Sequence, residues 1–541
     1  MPLIPAMLLL AFFVRPGLGD LSGDSARYLL LGRALASGQG YVEIEKPGAP
    51  PHTEYAPGLP ALIALCDLVS SSLLLPKLLI ALCWIAVVFL AGLLAREHQP
   101  LRQTAAVILV PLTLAAMPNP ARFANQALSD LPYAALSLLA LLYLARLGNR
   151  DEERLGRWAL AGGLAALAFF FRQAGVTLWA GAAAALVLRR SLPWRRRLLP
   201  LAALSLAFWL PAAAWLVRNL LVAGAVDPGH AGKLFMAQDA NPFLAPLGYG
   251  GVLARGLRGP ADYFRETGSI VLDLAAPLVP RWLGALVAAG LIVPALFGLG
   301  VSLRRRPDHP EAWYLIFYLA LVSVWQSHNP RYLLPVLPLA LIFAAEGIKA
   351  GAELTRRLDP GRALKLLAMV ALGVNVGVFA VDAVLVVSAP ATPLRDRSGR
   401  FLSPDGPELL RDAGEIHWGR WYQYPDLLRL KNPAAVMTGY HRLLAAAARL
   451  KELPPSAVVV TRKPPLVAWL SGRHAIQYPP EPDPDRFLAA LRERGATHIL
   501  QDEVSPEVRT LFERVRAARP EAFRTVFRLG GTELIEVRGR D

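Results

Sequence analysis

The chain has 541 residues, of which 54% are hydrophobic and only 18% charged. A composition this apolar, gathered into long runs, excludes a soluble globular protein and calls for a polytopic helical membrane protein. The net charge of +16, from 57 Lys+Arg against 41 Asp+Glu, does not indicate nucleic acid. The basic residues fall between apolar segments, not on an aromatic-interleaved patch of a folded domain.

Apolar segments fit to span occur at 1–14, 74–95, 104–118, 131–147, 158–171, 175–188, 198–221, 282–302, 311–326, 332–348 and 366–388, about eleven helices. The first lacks the basic region and small-residue cleavage site of a secretory signal, so it reads as a retained span. At about 14 residues it reaches about 21 Å against a core of about 30 Å, so interfacial residues extend it or the span begins upstream. Cys66 and Cys83 lie in apolar segments without metal or disulfide spacing, as small core residues do.

The piece at 59–69 is too short to cross and carries Asp67. If it stays on one side, alternate loops collect the arginines: Arg96 and Arg102, Arg146 to Arg157, Arg189 to Arg197, Arg304 to Arg306, and Lys349 to Lys365. The bias of basic loops towards the cytoplasm then places the N-terminus inside. Loop 15–76, the loop containing Asp130, loop 222–281 and everything after about residue 388 face outwards. The Gly/Pro-rich 222–281 loop shows little periodic pattern, as functional or mobile loops do.

The first outer loop is polar where its surroundings are apolar. Tyr28, Leu31 and Leu35 recur at helical spacing, predicting a short amphipathic helix lying along the bilayer surface, with Asp24, Arg27 and Tyr28 on one face. SGQGY stops that helix, and the Pro-rich run that follows carries His52, Glu54 and Tyr55 in extended form. Asp24 and Arg27 read either as a site or as a solvated pair. His52 and Glu54 are the one pair resembling ligands for a divalent ion, though loop residues of this kind are commonly just solvated. Asp130 opens a later span and also suits a helix N-cap. Arg331, beside His328 and Tyr332 in QSHNPRYLLP, puts an expensive charge at the outer mouth of an apolar helix unless it faces a cavity or snorkels. Arg172 in FFFRQAGV sits between two apolar segments, in a site or in a hairpin turn.

After the last span the composition shifts, and 389–541 reads as a soluble α/β domain. Strands are expected at 457–460 and 497–501, helices at 484–494 and 506–518, and a final hairpin turning at Gly530 and Gly531.

GDSARYLLLGRALASGQGY after the first span, TEYAPGLPALIAL, ALSDLPYAALSLL and NPRYLLPVLPLAL together resemble the GT-C membrane glycosyltransferases. The resemblance is to the branch with the aminoarabinose transferases of lipid A and the protein O-mannosyltransferases, and it covers most of the bundle in order. The terminal domain is similar to a periplasmic module. The resemblance implies a polyprenyl-phosphate sugar donor among the membrane lipids, and transfer to a lipid, glycan or protein acceptor on the extracytoplasmic face of the cytoplasmic membrane. It implies Asp24 and Asp130 as the acidic site positions, Glu54 as a carboxylate able to hold a metal, and Arg27 and Arg331 beside the donor phosphate. Arg172 and Tyr332 join that phosphate group, and Tyr28, Tyr55 and His328 line the substrate loop. Relatives commonly carry Asp-Glu where this chain has Asp24-Ser25, which leaves a divalent metal open.

The chemistry agrees independently. Single displacement at an anomeric carbon needs a carboxylate for the acceptor hydroxyl, a role for Asp24, and cations for the departing phosphate. A flippase of polyprenyl-linked sugars would instead show related halves and broken helices, which the sequence does not display; a non-catalytic envelope sensor is the third alternative.

Overall fold

The computed structural model describes residues 3–14, 23–102, 104–149, 154–223, 233–235, 247–272, 281–355, scattered positions between 359 and 380, 433–504 and 506–538. The expected span 366–388 and the start of the terminal domain lie largely outside these.

Helices α1 (Leu3–Phe13), α2 (Asp24–Ala36), α3 (Gly58–Asp67), α4 (Leu74–Glu97), α5 (Ala106–Ala115), α6 (Pro118–Phe123), α7 (Asp130–Asn149), α8 (Leu155–Phe171), α9 (Val176–Leu188) and α10 (Trp194–Ala223) follow in order. They continue with α11 (Tyr249–Leu272), α12 (Arg281–Arg305), α13 (Pro310–Ser323) and α14 (Leu337–Thr355). Among the described residues, four helices are long and apolar enough to cross a membrane: α4, α7, α10 and α12. The shorter apolar helices include α3, whose ten residues rise about 15 Å, half of a hydrocarbon core. The segment expected at 332–348 is shifted: a 3-10 turn covers Pro330–Leu333 and α14 starts at Leu337.

Helices α12 and α14 cross at backbone contact. A Cβ on Gly298 would collide with the Phe343 carbonyl, and one on Gly347 with the Pro294 carbonyl, so only glycine permits this close approach, as in other small-residue membrane crossings.

Two expectations are corrected. The 222–281 loop is not patternless throughout, because 249–272 forms the 24-residue α11, whose Tyr263 and Val271 are buried while Leu253 and Leu257 are exposed. Nor does α2 offer an apolar face to a bilayer. Eight of its 13 residues are buried, because a second layer covers its far side.

That layer is the terminal α/β unit, containing α15 (Pro433–Arg449), β1 (Val458–Val460), α16 (Pro464–Ser471), β2 (His474–Ile476), α17 (Pro484–Glu493), β3 (His498–Gln501), α18 (Pro506–Ala518), β4 (Phe523–Leu529) and β5 (Thr532–Val537). The sheet order is β2-β1-β3-β5-β4, with β1 parallel to β2 and β3, and β5 antiparallel to β3 and β4. Gly530 takes a φ of 55° in the hairpin turn, as its sequence indicated. Leu30 of α2 packs into the core formed by Leu443, Val459, Val467 and Leu500. The Arg33 guanidinium lies 3.7 Å from the centre of the Trp469 ring, and the Ala475 N–H donates to the Glu45 carbonyl at 2.7 Å. The short helix after α1 is therefore sandwiched between the bundle and the sheet.

Candidate active site

A cavity of about 370 Å³ opens where α2, the 54–56 segment, the start of α7, the α8–α9 turn and the 325–332 segment meet. Each wall is set by local chemistry. Gly58 lacks a Cβ that would strike the Phe170 carbonyl, so the chain entering α3 lies against the end of α8, and Gln173 Nε2 donates to the Glu54 carbonyl at 3.3 Å. Arg172 interrupts the helical run with extended torsions, φ −147° and ψ 129°, and so projects from the turn between α8 and α9. The Asn329 side chain accepts the Arg331 N–H at 3.0 Å, shaping the 3-10 turn that presents Arg331 and Tyr332.

Two carboxylate–guanidinium pairs occupy this cavity. Asp24 Oδ2 accepts from Arg331 Nη2 at 2.7 Å, across 307 residues of chain, and its Oδ1 accepts from the Tyr55 hydroxyl at 3.0 Å. Asp130 Oδ1 accepts from Arg172 Nη1 at 2.5 Å. Both guanidiniums flank one ring: Arg172 lies 5.2 Å and Arg331 5.3 Å from the centre of Tyr332, within the range of cation–π attraction. The Tyr318 hydroxyl holds the Tyr332 carbonyl at 2.9 Å. Tyr28 stacks on Tyr55 with centroids 4.8 Å apart, and its hydroxyl meets Ser129 Oγ at 3.1 Å.

The two acids differ in access. The Asp24 side chain is 29% exposed and that of Asp130 only 3%, so a molecule entering the cavity meets Asp24, while Asp130 faces Arg172 from behind. Arg331 Nε and Gln326 Oε1 are buried and have no hydrogen-bond partner among the described residues. Arg331 itself lines the cavity, so it keeps a hydrogen-bond donor beyond the one it gives to Asp24.

Asp24, Asp130, Arg331, Arg172, Tyr332, Tyr28, Tyr55 and Glu54 all line the cavity. The remaining sequence candidates lie outside its lining. Arg27 does not share a pair with Asp24: Nη1 sits 3.0 Å from Glu43 and 3.6 Å from Glu45, because the loop folds these acids back onto α2. His328 Nδ1 is 3.0 Å from Asp262 on α11 and its Nε2 3.1 Å from the Ser323 carbonyl, which ties the 325–332 segment to the helices behind it.

His52 offers no ligand position. Nδ1 meets Glu43 Oε1 at 2.7 Å and Nε2 accepts the Tyr55 N–H at 2.8 Å, so both ring nitrogens are used within the loop. With Asp24 and Asp130 each bound to a guanidinium and both His52 nitrogens used within the loop, these residues do not fit a resident divalent ion. Ser129, Gln173, Tyr318, Trp325 and Gln326 line the cavity without having been singled out. Gln326, Gln173 and Ser129 carried a signal, standing in the same short motifs as Arg331, Arg172 and Asp130.

Glu43 organises the loop below the cavity. Burial raises its pKa, but the hydrogen bond from His52 and the charges of Arg27 and Lys46 outweigh that and hold it at about 2, below the usual 4.5. A depressed folded pKa adds stability that is complete above about pH 4.5 and is lost as pH falls towards 2. Glu43→Gln is expected to cost about 1.5–3 kcal/mol at neutral pH, as loss of a charged hydrogen bond does. The apparent melting temperature of the detergent-solubilised protein should drop, and the gap to wild type should narrow below pH 4. A variant melting with wild type at pH 7 contradicts this.

No protein-family model matches the chain, and no curated protein does. Solved structures match along nearly its whole length. ArnT from Cupriavidus metallidurans in the apo state superposes with a TM-score of 0.55 at 16% identity, covering 98% of this chain and 96% of that one. The same protein bound to undecaprenyl phosphate gives 0.54 at 15%, covering 99% and 96%. The oligosaccharyltransferase AglB from Archaeoglobus fulgidus, in complex with an inhibitory peptide and a dolichol-phosphate, gives 0.50 at 12%, covering 92% and 68%. At these identities the likeness is one of fold: the chain has the GT-C architecture of these glycosyltransferases.

Proposed function

We propose that this protein is an integral-membrane glycosyltransferase that moves a sugar from a polyprenyl-phosphate donor to a hydroxyl of a lipid, glycan or protein acceptor at the extracytoplasmic face of the cytoplasmic membrane. The observation that carries the reading is the cavity pairing Asp24 with Arg331 and Asp130 with Arg172 around Tyr332, inside a fold of which one example was solved with undecaprenyl phosphate. The distribution of arginine loops supports the orientation. In this reading residues 1–388 form the catalytic membrane domain, and 389–541 an extracytoplasmic domain that braces α2.

The donor phosphate enters against Arg331, taking the open Nε–H together with an Nη–H, the bidentate fork that guanidinium provides. Arg172 adds the second cation. As phosphate draws Arg331, the Asp24 carboxylate is released towards the acceptor. The acceptor oxygen attacks the anomeric carbon, its proton passes to Asp24, and the bond from that carbon to the phosphate oxygen breaks. The electron pair leaves with the polyprenyl phosphate, whose added charge the two guanidiniums stabilise. Attack opposite the leaving group inverts the configuration. Asp130 holds Arg172 in place, and the stacked Tyr28 and Tyr55 form the sugar platform. A phosphate monoester leaving group is served by two arginines, so no step needs a metal.

The test is a panel of short-chain, membrane-impermeant polyprenyl-phosphate sugars incubated with sealed vesicles containing the protein. Consumption of one donor in right-side-out but not inverted vesicles is expected. Consumption of none, with intact protein, removes the glycosyltransferase reading, and consumption only in inverted vesicles reverses the orientation.

A further inference from the structure

A second polar cluster lies at the other end of the bundle. Arg146, sixteen residues along α7 from Asp130, meets Glu97 at 2.9 Å, so the neighbouring His98 stands about 24 Å of helix rise from the cavity. There His98, at the end of α4, meets His309 and Glu311 at the start of α13. One ligand atom from each lies within 4.8 Å of the other two, and the three residues are 1%, 8% and 1% exposed. His98 Nε2, His309 Nδ1 and Glu311 Oε2 are buried without a hydrogen-bond partner among the described residues.

The remaining contacts orient these atoms inwards. His98 Nδ1 sits 2.6 Å from Glu346 Oε1 on α14, so a proton held there leaves the Nε2 lone pair free. A carboxylate behind a histidine is the arrangement that fixes the tautomer and basicity of a metal-binding imidazole. His309 Nδ1 and Glu311 Oε2 are 3.5 Å apart. Ligand atoms around tetrahedral zinc, with bonds of about 2.1 Å, are separated by roughly 3.4 Å. The cluster therefore needs only a small inward closure to enclose an ion. Without an ion these buried atoms keep the penalty of desolvation with no hydrogen bond to offset it.

We propose that His98, His309 and Glu311 bind a divalent transition-metal ion of the zinc type, with Glu346 as the outer carboxylate that orients His98. Two imidazoles and a carboxylate suit Zn²⁺ over Mg²⁺ or Ca²⁺, which prefer oxygen ligands. The ion joins α4 to α13 and, through Glu346, to α14. Its role is to clamp the bundle end remote from the cavity, and it takes no part in sugar transfer.

The experiment reads metal directly. Full-length protein in detergent is supplied with Zn²⁺ alone, freed of excess by gel filtration, and assayed by inductively coupled plasma mass spectrometry. About one zinc per chain is expected, with a tenfold or greater loss in His309→Ala and Glu311→Gln, and no loss in Glu353→Gln on the same α14 helix. Glu311→Gln keeps the side-chain volume, so its loss of zinc reports ligation, not folding. Co²⁺ in place of zinc should give the visible absorption of a tetrahedral site in wild type and not in Glu311→Gln. Wild type retaining far less than one zinc per chain, or either variant retaining the full amount, overturns the proposal.

Discussion

Asp24→Asn is expected to lower turnover by about a hundredfold to ten-thousandfold, the usual contribution of a general base, while leaving donor binding intact. Asparagine preserves the size of the side chain and can still accept from Tyr55, which donates to Asp24 at 3.0 Å, but it cannot take the acceptor's proton. The substitution also removes the charge that holds Arg331 at 2.7 Å, so donor affinity should stay level or rise. Asp130→Asn supplies the contrast. That carboxylate is only 3% exposed and faces Arg172, so its loss should loosen donor binding more than it slows the bound donor's reaction. Single-turnover rates with donor saturating, beside equilibrium binding of a short-chain polyprenyl phosphate, separate the two effects. If Asp24→Asn turned over at the wild-type rate while Asp130→Asn was inactive, the base would be Asp130, and α2 would serve binding alone.

Replacing Arg331 or Arg172 by Ala should weaken donor binding by about 2–5 kcal/mol, the cost of truncating a buried, hydrogen-bonded charge, which is roughly thirtyfold to several thousandfold in affinity. Both guanidiniums are paired with a carboxylate, Arg331 with Asp24 at 2.7 Å and Arg172 with Asp130 at 2.5 Å, but Arg331 should show the larger loss because its Nε has no partner among the described residues. Lysine should rescue Arg331 poorly, since an ammonium cannot offer two donors in one plane. Arg27→Ala is the comparison: its guanidinium serves Glu43 and Glu45, so it should lower stability with little change in donor affinity. Unchanged affinity in both the Arg331 and Arg172 variants would remove them from the phosphate site.

The glutamates of the first loop show why spacing could not decide whether Arg27 or Arg331 pairs with Asp24. Arg27 follows Asp24 by three residues, a separation that brings side chains together on an isolated helix. In the folded protein Glu43 and Glu45 compete for that guanidinium from a loop with no helical period to announce its return. Asp24 then takes Arg331, 307 residues away. His52 was equally ambiguous, because a histidine two residues from a glutamate suits a metal or a loop bond, and the Tyr55 N–H and Glu43 decide for the bond.

What the sequence by itself determined was the class of the molecule and most of its elements. Apolar runs, the Arg172 break, the paired glycines of the terminal hairpin and the valine-rich strands act over a few residues, and local torsional and burial preferences carry them into the structure largely unchanged. Only the tertiary structure decided which carboxylate meets which guanidinium, that α2 is covered on its far side by the terminal sheet unit, and that His98, His309, Glu311 and Glu346 converge. Each of these depends on contacts between side chains far apart in the chain. Charged and imidazole groups choose partners by distance and desolvation after the helices have packed, and no local period encodes that choice.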